Sequence, residues 1–352
     1  QKRLDSIKVV ENSVLSSYHV FTMKSSLILF VSLVVFVYSL LHFYAYRKIV
    51  IIWPVGIAGR LVLIGFMVLL IAAPFLVHFF VGKDWLMAAR AIGWVGYLWM
   101  GWVFLFFVIG LFADIVMGLG QLRFVGVVLV MIVTTVVVIY GVFEAQHVRV
   151  KNVVIKTPLL AKTERGFRIV YFSDLHLDVT TRLKNIILLV QSINAENPDL
   201  IVFAGDMMDL PARHIEKYAG VLSQLKAPWG KLAVPGNHET YVGQGEADKF
   251  FKEIGFKLLH DEVVSVADGR LQVVGSDHPT IADFENKPHI FTVLLKHEPR
   301  LDPKTQGLFD LGLFGHTHGG QIFPFSLVMR LVFKMPLGFS TWGERSKLFL
   351  TR

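Results

Sequence analysis

Four stretches contain no Asp, Glu, Lys or Arg: Leu27–Tyr46, Leu61–Gly82, Ala91–Ala113 and Phe124–Phe143, of 20, 22, 23 and 20 residues. As a helix, about 20 apolar residues span the hydrocarbon core of a bilayer. One such run can be a buried helix of a soluble protein. Four in succession with charged punctuation read as a four-helix transmembrane region. Trp53, Trp85, Trp94, Trp99, Trp102 and the Tyr38–Tyr46 cluster include residues near span ends, where aromatic belts form. Gly93, Gly96 and Gly101 in the third run permit close helix approach. His42 and His78 sit near span ends, where an imidazole can reach the interface. The runs show no clear charge pair or broken helix, which disfavours a transporter or channel.

The chain of 352 residues carries a formal charge of +8, which raises the question of nucleic acid. Residues 1–143 hold ten Lys/Arg against four Asp/Glu, and residues 144–352 hold 25 against 23. The surplus therefore flanks the spans, and no nucleic-acid partner is expected. The lipid bilayer is. Four spans put both ends on one side, with Lys2, Arg3, Lys8, Lys24, Lys83, Arg90, Arg149, Lys151, Lys156 and Lys162. The other side has Arg47, Lys48, Arg60 and Arg123, so the positive-inside rule places the C-terminal half in the cytoplasm. Met23-Lys24 before an apolar run has the form of a chain start. Residues 1–26 are read as an N-terminal segment whose part before Met23 need not be native, and 27–146 as the transmembrane domain.

From residue 147 the pattern changes to short apolar runs alternating with helix-like segments, as in a layered α/β domain. Polar clusters stand just beyond five strand candidates: Asp174-Leu175-His176, Gly205-Asp206-Met207-Met208-Asp209, Gly236-Asn237-His238-Glu239, His297, and Gly315-His316-Thr317-His318. Ligands of open α/β sheets gather at the carboxyl ends of strands, so these clusters can converge. The chain has no cysteine, which removes thiolate ligands and nucleophiles. Imidazole, carboxylate and amide oxygen remain, a donor set suited to Mn, Fe or Zn. Two such ions about 3.5–4 Å apart can clamp a phosphoryl oxygen and lower the pKa of a water towards ~7. Glycines before Asp206, Asn237 and His316 allow the tight backbone that brings a ligand to a metal. Each cluster alone is an ordinary turn; five in order are not.

In that order, the motifs resemble the signature of the calcineurin-like metallophosphoesterases. Gly315-His316-Thr317-His318-Gly319-Gly320-Gln321 and the third apolar run resemble the multi-pass, membrane-associated bacterial branch. The resemblance implies a β-sandwich flanked by helices over residues 147–352, in a multi-pass protein of a bacterial inner membrane. It implies two divalent ions, one held by Asp174, His176, Asp206 and His318. Asp206 would bridge to the other, held with Asn237, His297 and His316. It further implies attack by a metal-bridged hydroxide on a phosphate ester or pyrophosphate. His238 would assist the leaving group, oriented by Asp209. Asp209 also suits a helix N-cap before Pro211. Members of the family continue past Phe349-Leu350-Thr351-Arg352 into a Gly-rich segment and a last strand, so truncation is expected.

Ile322–Phe339 is strongly apolar but carries Arg330 and Lys334. It reads either as an interfacial segment that admits a lipid-linked phosphate or as a core connection. The expected substrate is thus a phosphorylated small molecule or a lipid-linked phosphate. Competing readings are a non-catalytic metal-binding membrane sensor, and a nuclease or cyclic-nucleotide-type phosphodiesterase of the same fold.

Overall fold

The computed structural model describes residues 28–118, 124–160, 166–276, 287, 289–322, 324–333, 335–343 and 345–351. The N-terminal segment 1–26, Arg123, Lys162, His278, Phe323 and Lys334 lie outside them. The chain divides into two units, Gln1–Gln146 and His147–Arg352.

In the first unit, helices α1 (Ile28–Ile52), α2 (Ile57–Gly82), α3 (Leu86–Met117) and α4 (Phe124–Glu144) are long and apolar enough to cross a membrane, with mean hydropathies of 2.2 to 2.7. Tyr38, Ala45, Met67, Val103, Phe106, Val127 and Val130 form their shared core. The helices outrun the uncharged stretches, and this brings a charge pair inside. Lys48 Nζ donates to Asp114 Oδ1 at 2.7 Å, and Tyr44 Oη donates to Asp114 Oδ2 at 2.8 Å. Both charged side chains are buried. The pair links α1 to α3 and was hidden because each partner lies just past the end of its apolar run.

Two expectations about this unit need correction. His42 does not reach an interface. It is buried, its Nδ1–H donates to the Tyr38 carbonyl and its Nε2 accepts from Trp99 Nε1–H, both at 2.8 Å. A partner on α3 satisfies the ring, so it has no need of water. Of the tryptophans singled out, Trp99 and Trp102 sit mid-helix, stacked at 5.1 Å, with Trp102 stacked in turn on Phe106 at 4.9 Å. Gly96 does allow a close approach, since a Cβ there would meet Ala73 Cβ at 2.5 Å, but Gly101 faces nothing within 4 Å.

The second unit builds on two sheets. Strands β1 (Ile169–Phe172), β2 (Leu200–Ala204), β3 (Lys231–Val234) and β4 (Lys257–Leu258) form a parallel sheet in that order. Strands β5 (Glu262–Val266), β6 (Leu271–Ser276), β7 (Phe291–Lys296), β8 (Leu311–Phe314), β9 (Gly338–Trp342) and β10 (Ser346–Leu350) form a mixed sheet ordered β5-β6-β7-β8-β10-β9. Alternation along β2 explains the layering. Leu200, Val202 and Ala204 pack with Val273, Val293, Leu295 and Leu313 of the second sheet. Phe203 turns the other way, onto Phe251 of α8 (Gln244–Glu253). Helices α5 (Leu183–Ala195) and α6 (Ala212–Leu222) bury Ile186, Val190 and Ile193, and Ile215, Tyr218, Ala219 and Leu222. Their spacing is that of one helical face. The result is a sandwich with helices on the parallel sheet, and Tyr171 Oη ties β1 to the Phe314 carbonyl of β8.

Two further elements matter for the site: the short helix α7 (Asn237–Val242) and helix α9 (Phe325–Phe333). No side chain of α9 is buried, so the core reading of Ile322–Phe339 does not hold for the helix itself. Met335, just beyond it, does enter the core.

Candidate metal centre

The five polar clusters follow β1, β2, β3, β7 and β8, each beginning within two residues of the strand's carboxyl end. Parallel strands deliver all of them to one edge of the sandwich. Backbone hydrogen bonds then tie the loops together: Asp174 N–H to Gly205 O, His176 N–H to Asp206 O, and Gly315 N–H to His297 O, each 3.0 Å. Asp174, His176, Asp206, His316 and His318 adopt positive φ, between 45° and 72°. Non-glycine residues rarely do so, and the conformation persists where surrounding structure enforces it.

The flanking glycines are required by space. A Cβ on Gly236 would lie 2.1 Å from Asp206 Oδ1, and one on Gly315 would lie 2.5 Å from Asp174 Oδ2. The carboxylates also fix the loops. Asp206 Oδ1 accepts from His238 N–H at 2.9 Å, and Asp174 Oδ1 accepts from His316 N–H at 2.8 Å.

Ligand-capable atoms gather in three overlapping groups, each within 4.8 Å: Asp174, His176 and His318; His176, Asp206 and His238; Asp206, His297 and His316. Asn237 Oδ1 joins the third, 3.0 Å from His316 Nδ1. Thus all nine residues singled out in the sequence come together, and Asp206 is shared between two groups. His297 Nδ1–H donates to the Ala204 carbonyl at 2.6 Å, which leaves Nε2 bare, 3.1 Å from Asp206 Oδ2 and 3.2 Å from His316 Nδ1. His176 Nδ1–H donates to Asp209 Oδ1 at 2.7 Å, which leaves its Nε2 bare, 3.1 Å from His318 Nε2. While the two rings are neutral, lone pairs face lone pairs and a carboxylate, a repulsion that either protons or a cation would relieve. Anchoring of the outer ring nitrogen is also what metal-binding histidines show. The donor set therefore fits divalent ions.

Asp209 is not a helix cap. Pro211 holds that position, and the Asp209 carboxylate accepts from both His176 and His238 Nδ1, the latter at 2.8 Å. Burial works to raise its pKa, but the two imidazoles outweigh this and hold it well below the usual carboxylate range. In return, the Asp209 hydrogen bond raises His238 against desolvation. Desolvation would lower His176 and His297, yet Asp209 for the one and Asp206 for the other leave both raised. Burial and the His297 imidazole lower His316; burial also lowers His318, against the pull of Asp174. Asp206 is lowered: burial opposes, and His297 prevails.

One residue of the motifs had been given no role. Glu239, buried at 1% exposure, accepts from the backbone N–H groups of Asp206, Met207, Met208 and Gly236 at 2.7–3.0 Å. It braces the β2 loop against the start of α7. Its position three residues after Gly236 was the available signal, since a Glu there accepts from the N-cap N–H.

The model of the calcineurin-like phosphoesterase family matches residues 167–320, the segment that holds all five clusters. A protein of Aquifex aeolicus described as an uncharacterized metallophosphoesterase is 31% identical over 214 residues, 56% of this chain and 81% of its own length. The metallophosphoesterase YkuE of Bacillus subtilis is 36% identical over 185 residues, 48% of this chain and 64% of its own. A zebrafish (Danio rerio) protein described as a transmembrane protein with metallophosphoesterase domain is 27% identical over 248 residues, 64% of this chain and 57% of its own. The chain thus spans under two thirds of the latter two. Matched over four fifths of the Aquifex relative, with the family's ligand types converging at one sheet edge, this chain belongs to the calcineurin-like metallophosphoesterases.

Proposed function

We propose that this chain is a membrane-anchored hydrolase of phosphate esters or pyrophosphates that works with two divalent ions, Mn, Fe or Zn. The observation that carries the reading is the chain of three overlapping ligand groups, linked through His176 and Asp206. Asp174, His176, Asp206 and His318 would hold one ion, and Asp206, Asn237, His297 and His316 the other. Bound there, the ions supply Lewis-acid polarisation of the phosphoryl oxygens and acidify the attacking water.

The remaining work falls to His238. Its Nδ1–H is fixed on Asp209 and its Nε2 faces the cluster, 3.9 Å from Asp206 Oδ2. Its side chain is 34% exposed, against 6% for His297, so a substrate can meet it. The hydrogen bond to Asp209 raises the ring's hold on its proton. From Nε2 that proton passes to the leaving oxygen as the bond to phosphorus breaks. The substrate is a phosphorylated small molecule or a lipid-linked phosphate, and no nucleic-acid partner is proposed. The four apolar helices and the relatives named as transmembrane proteins support a membrane protein. We place it in a bacterial inner membrane with this domain cytoplasmic.

The test uses the purified full chain, with and without Mn(II), on a phosphomonoester, a phosphodiester and a lipid pyrophosphate. At least one is hydrolysed in a Mn(II)-dependent way. His238→Ala lowers that rate about 10²–10⁴-fold, and Asp206→Asn abolishes metal retention. If no substrate is cleaved with two ions bound, the metal-binding sensor takes its place.

A further inference from the structure

A helix lying on a soluble domain turns its apolar face inwards; α9 does the reverse. Leu327, Val328, Leu331 and Val332 are 50%, 42%, 78% and 55% exposed, and Phe325 on the same side is 48% exposed. At 3.6 residues per turn these five positions fill one continuous arc of about 160°. Ser326, Met329 and Phe333 face the protein, and Arg330 lies outside the arc, exposed. The helix is also fixed to the metal centre. A Cβ on Gly320 would meet Ser326 N, so its start is seated on the loop after His318. The Phe333 ring lies 5.6 Å from that of His316, and the Arg300 guanidinium lies over the Phe333 ring, 5.5 Å from its centroid.

We propose that the outward face of α9 docks in the headgroup region of an anionic bilayer and brings the metal centre to lipid-borne phosphates. This rests on the phosphoesterase reading above and deepens it by naming the substrate class. Two observations select a bilayer as the occupant. The same chain carries four helices apolar enough to cross one, joined to β1 by residues 145–168. And between Gly319 and Gly343 there is no Asp or Glu, only Arg330 and Lys334, a charge pattern complementary to anionic lipid. A solvent-facing helix carries polar residues on this arc.

The absence of native cysteine makes the test direct. Single variants Leu331→Cys and, as a reference on α8, Lys249→Cys are made in the His238→Ala full chain. They are spin-labelled and placed in nanodiscs of phosphatidylcholine and phosphatidylglycerol. Collisions with oxygen and with a water-soluble nickel chelate report depth. The Leu331 label is expected to favour oxygen and the Lys249 label nickel. A Leu331 label as open to nickel as Lys249 overturns the proposal. So does one shielded from both with spin–spin broadening, which means a second copy covers α9. This readout needs no catalysis, so it stands or falls apart from the phosphoesterase reading. With active protein, Leu331→Glu is expected to lower hydrolysis of a lipid pyrophosphate about tenfold and of a soluble chromogenic ester less. Equal losses overturn the link between docking and substrate.

Discussion

A single oxygen, Asp209 Oδ1, receives the Nδ1–H of two imidazoles that belong to different strand-end motifs. Removing its charge should therefore be felt at both. Asp209→Asn keeps the shape and is expected to lower kcat about 10–100-fold, the usual cost of losing such an orienting partner. A purely structural role would leave the pH profile in place. Here, loss of the carboxylate lowers the His238 pKa, so the alkaline limb of the rate profile moves to lower pH. Residue-scale legibility was high where chemistry marks the side chain. Histidines and aspartates at strand ends can be read from spacing. Glu239 was not legible as a brace, because its four partners are backbone N–H groups that any residue could offer.

At the scale of elements, β1, β2, β3, β7 and β8 match the apolar runs that preceded each motif, because short β-rich segments broken by polar residues, glycine or proline announce both strand and turn. Helix boundaries in the apolar half were less legible. Reading between charges ends a helix at the first charge, whereas α1 and α3 each carry one inside the bundle. The pairing of Lys48 with Asp114, 66 positions apart, depends on how their two helices meet, which no local pattern encodes. Breaking one half of a buried pair leaves an uncompensated charge and costs about 3–5 kcal/mol, while replacing both by apolar residues is near neutral. Lys48→Met and Asp114→Leu should each lower the unfolding temperature in detergent, and the double variant should recover most of the loss. A double variant as unstable as the sum of both would show that the two residues act independently.

Across the whole molecule, the metal centre is assembled from loops that span residues 174 to 318 of two sheets, and its protonation couples them. In the metal-free protein His176 and His297 hold protons to higher pH than a free imidazole. Those protons must leave for the nitrogens to bind an ion. Affinity for Mn(II) is therefore expected to rise steeply between about pH 6 and about pH 8, a range that brackets the ordinary imidazole pKa of about 6.5. Calorimetric titration at both ends checks this, and a flat affinity would refute it. The five residues at positive φ have a consequence of a different kind. Cut out as peptides, or grafted on to an unrelated scaffold, these motifs would relax to commoner backbone conformations and scatter their donors. The ability to hold metal is not portable with the motifs, and a homologue search that scores only their letters will accept chains in which nothing forces the backbone to turn.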